Sequence, residues 1–216
     1  MLKVNEIFSS IEGEGKRTGY LTTFIRLAGC NLRCSYCDTK YAQTEEEYTL
    51  MSSEDIVSKI KTDCVTLTGG EPLIHQEVEK LISDLMIADK FTNIETNGSV
   101  FLAKFIELRY KLRRSKFFFT MDIKCPSSGM HKNNNFENLK LLNNLDVIKF
   151  VVGSEEDLYY AKTIIESIKT EAVPYISPVF GFYPPLVVDF IKENDLKAVF
   201  QLQLHKYIWD PNKRGV

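Results

Sequence analysis

Short runs of β-branched and aromatic residues alternate along this chain with stretches whose apolar residues fall at helical spacing. The runs lie at 21–27, 64–68, 92–95, 117–123, 147–152, 172–176 and 197–203, each the length of a single strand. Between them, Ile56/Val57/Ile60, Val78/Leu81/Ile82/Leu85, Phe101/Phe105/Leu108, Leu139/Leu142 and Leu158/Ile164/Ile165/Ile168 mark helices with one buried face. Start signals agree. Ser52 or Ser53 is placed to cap the helix before Ile56, and Ser154 with Asp157 three residues on reads as a capping box. An additional edge strand is expected at residues 4–8. Strand–helix alternation of this kind gives parallel strands, right-handed crossovers and helices on the outside. Six or seven such strands are too few for an eight-unit barrel, so the pattern predicts an α/β fold, a partial β/α barrel open on one side. No linker or low-complexity tract interrupts the alternation, and residues 1–216 are expected to form one domain.

Chemistry enters with Cys30, Cys34 and Cys37, three cysteines within eight residues. Three thiolates on one loop suit three irons of a four-iron cluster and leave the fourth open to a reactive ligand. A structural zinc wants four ligands, and the remaining candidates (Cys64, Cys125, His75, His131, His205) are scattered. Five cysteines, an odd number, in a chain of 216 residues also argue against a disulfide framework.

The cysteine loop follows the first parallel run, and other unusual segments follow the rest. Thr68-Gly69-Gly70-Glu71-Pro72 follows the second and Glu95-Thr96-Asn97-Gly98 the third; Asp122-Ile123-Lys124 closes the fourth. Ser177-Pro178 follows the sixth and His205-Lys206 the last. In parallel barrels the C-terminal strand ends form one rim, so these fragments are expected to converge. Gly69-Gly70 permits close backbone approach, and Glu71 is a carboxylate able to hold an ammonium. Glu95 and Asn97 suit ribose hydroxyls, Asp122 and Lys124 a ligand or each other. Asp38-Thr39 offers the hard oxygen donors that magnesium prefers.

The whole-chain numbers only narrow the field. A net charge of −2 argues against a dedicated nucleic-acid binder, and 44% hydrophobic with 26% charged residues is ordinary for a soluble protein. The basic stretch at 111–116 reads as a solvated helix end. No apolar run reaches the ~20 residues a membrane span needs, and the first six residues lack a signal-peptide core. Free thiols and an exposed cluster suit a reducing cytoplasm.

Together, Cys30-x-x-x-Cys34-x-x-Cys37 and Thr68-Gly69-Gly70-Glu71-Pro72 resemble the radical S-adenosylmethionine superfamily. The resemblance implies that superfamily's partial barrel, a [4Fe-4S] cluster and S-adenosylmethionine. Its amino and carboxylate groups chelate the open iron, and one electron cleaves the sulfonium to methionine and a 5′-deoxyadenosyl radical. A narrower resemblance spans nearly the whole chain. Segments 6–15 (EIFSSIEGEG) and 24–30 (FIRLAGC), Cys37-Asp38-Thr39 and Gln203-Leu204-His205-Lys206-Tyr207 are similar to the 7-carboxy-7-deazaguanine synthase family. That family converts 6-carboxy-5,6,7,8-tetrahydropterin to 7-carboxy-7-deazaguanine with loss of ammonia, on the route to queuosine and other 7-deazapurines. It needs magnesium and regenerates S-adenosylmethionine.

Residue by residue, the resemblance implies that Arg26 clamps the substrate carboxylate, as a guanidinium fork suits. Ile11, Glu12, Gly13 and Glu14 line the pterin, and Thr68 and His205 touch it. Tyr36, Cys37, Asp38, Gly70, Glu71, Glu95, Asn97, Asp122, Ile123, Lys124, Ser177, Pro178, Val179 and Phe180 border S-adenosylmethionine, and Thr39 ligates magnesium. A homodimer and a flavodoxin or ferredoxin as electron donor are further implications; nucleic acid and membrane are not. Two departures stand out. Glu12 occupies a position where many members carry Gln, and a carboxylate accepts hydrogen bonds without donating them. The segment from Trp209 to Val216 runs past the point, near a proline, where some members end. A glycyl-radical activating enzyme shares the cysteine loop, GGEP and Asp-x-Lys, but does not account for residues 12–15 or 205–207. An iron–sulfur carrier would need none of the other loops.

Overall fold

A computed structural model describes residues 1–112 and 116–216. Arg113 and Arg114, the centre of the basic stretch, lie outside the described residues. The strands are β1 (Leu2–Ile11), β2 (Leu21–Leu27), β3 (Thr49–Met51), β4 (Cys64–Gly69), β5 (Phe91–Thr96), β6 (Phe117–Ile123), β7 (Val147–Val152), β8 (Val173–Pro178) and β9 (Val199–Phe200). They form one sheet in the order β3-β1-β2-β4-β5-β6-β7-β8-β9. From β2 to β9 every pairing is parallel, whereas β1 runs antiparallel to both β2 and β3. The sheet does not close, as the strand count implied.

Pleating divides the sheet into two faces of different chemistry. Val65, Leu67, Ile94, Phe119, Met121, Ile148 and Phe150 are fully buried and join Leu81, Leu85, Phe105 and Leu158 in one apolar core. Those four come from α2 (Val78–Ile87), α3 (Ala103–Lys111) and α4 (Glu155–Ser167). The alternate positions Thr66, Thr68, Asn93, Thr120 and Lys149 are also buried, but polar. An inner face of that kind is built for a polar ligand rather than for packing.

Several expectations are corrected. The segment at 4–8 is part of a ten-residue strand, and β3 pairs outside it only over Leu2–Val4, so residues 5–8 keep the edge position expected of them. Of the run at 197–203 only Val199–Phe200 forms strand; Gln201 N still donates to Ile176 O (3.0 Å), while the Gln201 side chain accepts from Gly15 N (2.6 Å) and donates to the Thr18 hydroxyl (2.6 Å). Around Leu139 the chain makes a 3-10 segment, Phe136–Lys140, in place of a helix. There the buried Asn138 amide spans the carbonyls of Gly98 and Val100 and the N–H of Leu102, each at 2.9 Å. Helix α1 (Ser53–Ser58) carries a full capping box from Ser52 and Asp55. In α4, Ser154 caps the N–H of Asp157, but the Asp157 carboxylate goes elsewhere. Helix α5 (Pro184–Glu193) was unforeseen, and α6 is the short turn His205–Ile208.

Candidate active site

The strand-end loops meet the inner face in a cavity of about 490 Å³. Cys30, Cys34 and Cys37 are all free and line it, together with Ile11, Glu12, Gly13, Glu14, Arg26, Tyr36, Asp38, Thr39, Thr68, Gly70, Glu95, Asn97, Asp122, Lys124, Val179, Phe180 and His205. Four residues expected there do not line it. Ile123 is buried in the core, and Ser177 and Pro178 close the end of β8 without opening onto the cavity. Glu71 is fully buried behind the rim, where its carboxylate takes hydrogen bonds from Leu73 N (3.0 Å), Thr96 Oγ1 (2.9 Å) and Asn97 N (2.6 Å). Burial pushes that carboxyl up to about 7 against these donors. It ties the loops after β4 and β5 together through three hydrogen bonds.

The cysteine loop is partly buried. Leu32 N (3.4 Å) and Asn97 Nδ2 (3.9 Å) face Cys30 Sγ, while burial raises the Cys30 and Cys34 thiols and Lys124 draws them back. Among the described residues no three His, Cys, Asp or Glu side chains converge as a single-ion site requires. A cubane binds each thiolate to a different iron and needs no convergence. Three free thiols on one cavity-facing loop, with a lysine beside them, therefore fit a cluster.

Two charged halves flank that loop. On one, Lys124 bonds Asp122 at 2.9 Å, and Asp122 Oδ1 is buried without a partner. Burial works against the Asp122 charge, but Lys124 and Lys149 hold its carboxyl below the usual range. Lys149, buried on β7, donates to Glu14 at 2.8 Å. On the other half, Arg26 Nε donates to Glu6 at 2.7 Å, and the Tyr41 hydroxyl donates to the same oxygen at 2.8 Å. Arg26 lines the cavity while its Nε is engaged by Glu6. His205 (3.8 Å) and Lys206 (3.0 Å) flank the Asp38 carboxylate and hold it well below the carboxylate range despite burial. Gly13 lets the chain pass beneath His205, whose Nδ1 would lie 2.5 Å from an added Cβ.

Glu12 sits deepest, bonded by Thr66 and 3.5 Å from Arg17. Burial and the neighbouring Glu95 push its carboxyl up to about 8. The Thr66 hydroxyl and the Arg17 guanidinium pull the other way, so this carboxyl holds its proton more readily than a surface glutamate without losing its cationic neighbour. A proton retained on Glu12 would let it donate as Gln does, which narrows the departure at this position.

The radical SAM superfamily profile matches residues 24–149, the stretch from β2 into β7 that holds the cysteines. A 7-carboxy-7-deazaguanine synthase of Clostridium acetobutylicum is 49% identical over 223 residues, with 99% of both chains covered. Synthases of the same name from Methanospirillum hungatei and Chlorobaculum tepidum are 44% and 37% identical, covering 97% and 100% of this chain and 86% and 97% of their own. The chain belongs to the 7-carboxy-7-deazaguanine synthase family. The crystal structure of QueE from Escherichia coli matches with a TM-score of 0.75 over 94% of each chain at 22% identity. That of Streptococcus suis SuiB bound to S-adenosylmethionine matches with 0.57 over 80% of this chain and 48% of its own at 16% identity. At those identities the likeness is one of fold.

As a member of the synthase family the chain is a radical SAM enzyme, working with a [4Fe-4S] cluster and S-adenosylmethionine. The sequence motifs of the family did not single out Lys149, Tyr41 or Arg214, all of which line the cavity. Lys149 had a signal, a lone cation inside an otherwise apolar strand. Arg214 lies over the Tyr41 ring at 3.5 Å, a contact no sequence pattern announces.

Proposed function

We propose that the cavity converts 6-carboxy-5,6,7,8-tetrahydropterin to 7-carboxy-7-deazaguanine with release of ammonia. The observation that carries this reading is Arg26, which lines the cavity with its Nε held by a Glu6 that Tyr41 also bonds, and with family membership behind it. The substrate carboxylate binds the Arg26 guanidinium bidentately. Glu12 and Glu14 meet the pterin's ring nitrogens. Thr68 and His205 bound the ring on either side. On the opposite half, Asp122, Lys124, Asn97, Tyr36 and the segment Val179–Phe180 border S-adenosylmethionine. The orphaned Asp122 oxygen is one acceptor awaiting a donor there.

The cluster and S-adenosylmethionine together supply the 5′-deoxyadenosyl radical; these residues orient the pterin toward it and exclude water. Magnesium fits Thr39. Its hydroxyl has Cys37 Sγ at 3.7 Å as a neighbour, whereas Asp38 is taken by His205 and Lys206. Magnesium keeps several non-protein ligands and so suits one hydroxyl plus the substrate. A flavodoxin or ferredoxin as reductant, a homodimer and a reducing cytoplasm complete the proposal.

The test is calorimetric binding to the anaerobic, cluster-loaded enzyme with S-adenosylmethionine. 6-Carboxypterin should bind, 6-hydroxymethylpterin should bind at least ~20-fold more weakly, and Arg26→Ala should abolish the difference, the expected effect of losing a charge-assisted pair. S-adenosylmethionine affinity should not move. Equal binding of both pterins to the unaltered enzyme would refute the assigned carboxylate clamp.

A further inference from the structure

Between Cys34 and Cys37 lie only Ser35 and Tyr36, and their contacts fix the spacing of two thiols. Ser35 N donates to Ser128 O (3.1 Å), Ser35 Oγ to Ser127 O (2.7 Å) and the Tyr36 hydroxyl to Val151 O (3.1 Å). The cysteine loop therefore rests on the turn after β6 and on the end of β7. Beyond its own internal hydrogen bonds, that turn is tied to the start of α4 by one carboxylate. Asp157 Oδ1 accepts from Ser127 N at 2.9 Å, and Oδ2 accepts from Gly153 N at 2.8 Å and from the Ser127 hydroxyl.

Asp157 is fully buried in the first turn of α4, where a negative charge is favoured, and none of the ion pairs among the described residues involves it. Burying a carboxylate without a cation is costly unless hydrogen bonds saturate it. A surface capping box with Ser154 was available to it and is only half formed. The fit is close: a Cβ on Gly153 would lie 3.3 Å from Ser127 Oγ.

We propose that Asp157 is a positioning residue for the iron–sulfur cluster. By fixing Ser127 to the start of α4, it sets the turn on which Ser35 rests and so holds Cys34 and Cys37 at the spacing the irons require.

The test compares Asp157→Asn, Ser35→Ala and Asp146→Asn in the anaerobically reconstituted full chain. Asp157→Asn sets an amide N–H against N–H donors, while Ser35→Ala removes one anchor and leaves the core untouched. Asp146 is the control. It too is fully buried, but it pairs with Arg109 (2.7 Å) and accepts from Phe119 N (2.9 Å), before the start of β7 and at the other end of the sheet. The readouts are iron loss to a ferrous chelator, the electron paramagnetic resonance of the reduced cluster, and urea unfolding. Asp157→Asn and Ser35→Ala should lose iron about five-fold faster or more, as one lost hydrogen bond implies. Asp146→Asn should unfold more easily yet release iron at the unaltered rate. Iron loss unchanged in both loop variants, or tracking unfolding across all three, would overturn the proposal. If Asp157→Asn does not fold, Ser35→Ala and Ser127→Ala decide by the same criterion. No pterin is involved, so the outcome is independent of the substrate proposed above.

Discussion

Glu12 shows how far burial can change the meaning of one residue. Read as a sequence letter it is an anion; in the inner face, burial and the nearby Glu95 push its carboxyl up to about 8 against Thr66 and Arg17. The consequence for stability has a definite sign. Below about pH 4.5 folded and unfolded chains are both protonated at this group and it costs nothing. Between about 4.5 and 8 the unfolded chain ionises first, so stability falls as pH rises, by on the order of 5 kcal/mol at most, and levels off above 8. Glu12→Gln should flatten that slope. Urea midpoints at pH 5, 6.5 and 8 should converge between the two proteins at pH 5 and separate by pH 8, with the Gln variant the more stable. Parallel curves would mean that Glu12 is ionised in the folded chain. The site residues that motifs revealed are those with unusual neighbours, such as the cysteines and His205. Lys149 left one trace, a lone cation in an apolar strand, but Tyr41 acquires its role from Glu6 on another element, which single-chain patterns do not announce.

Among the elements, the loops after the parallel strands were legible because period-2 apolar runs end sharply at Gly, Pro and charged residues. What escaped reading has local causes. Strand β3 is three residues long with Leu50 exposed, too little for a pattern. Helix α5 opens on Pro184-Pro185, which read as a break although proline suits a first helical turn. The glycines of the loop after β4 also have a role the sequence reading gave to a ligand. At Gly70 an added Cβ would collide with the carbonyl oxygens of Gly29 and Ala42, so its smallness lets this loop pass behind the cysteine loop. Gly70→Ala should therefore displace the cysteine loop and destabilise the fold by about 1–3 kcal/mol, an overpacking cost. Iron content per chain should fall together with the urea midpoint. Loss of S-adenosylmethionine binding with full iron and full stability would mean that Gly70 serves the ligand alone.

Over the whole molecule, the sheet order brings β1 at one side and the segment after α6 at the other onto a single cavity. Leu204 N donates to Gly13 O at 3.1 Å, and Lys206 Nζ donates to the Pro211 carbonyl at 2.9 Å. The residues from Asp210 to Val216 also line this cavity, with Arg214 over the Tyr41 ring. Both halves of the cavity are polar and charged, as a pterin acid and a sulfonium cofactor demand, and no helix among the described residues is long and apolar enough to cross a membrane. The measurement that tests this account most directly is turnover. Cluster-loaded enzyme receives reductant, magnesium, excess 6-carboxytetrahydropterin and limiting S-adenosylmethionine under anaerobic conditions, and products are read by mass spectrometry. The account predicts 7-carboxy-7-deazaguanine in excess over the S-adenosylmethionine supplied. Release of 5′-deoxyadenosine without any deazaguanine would contradict it.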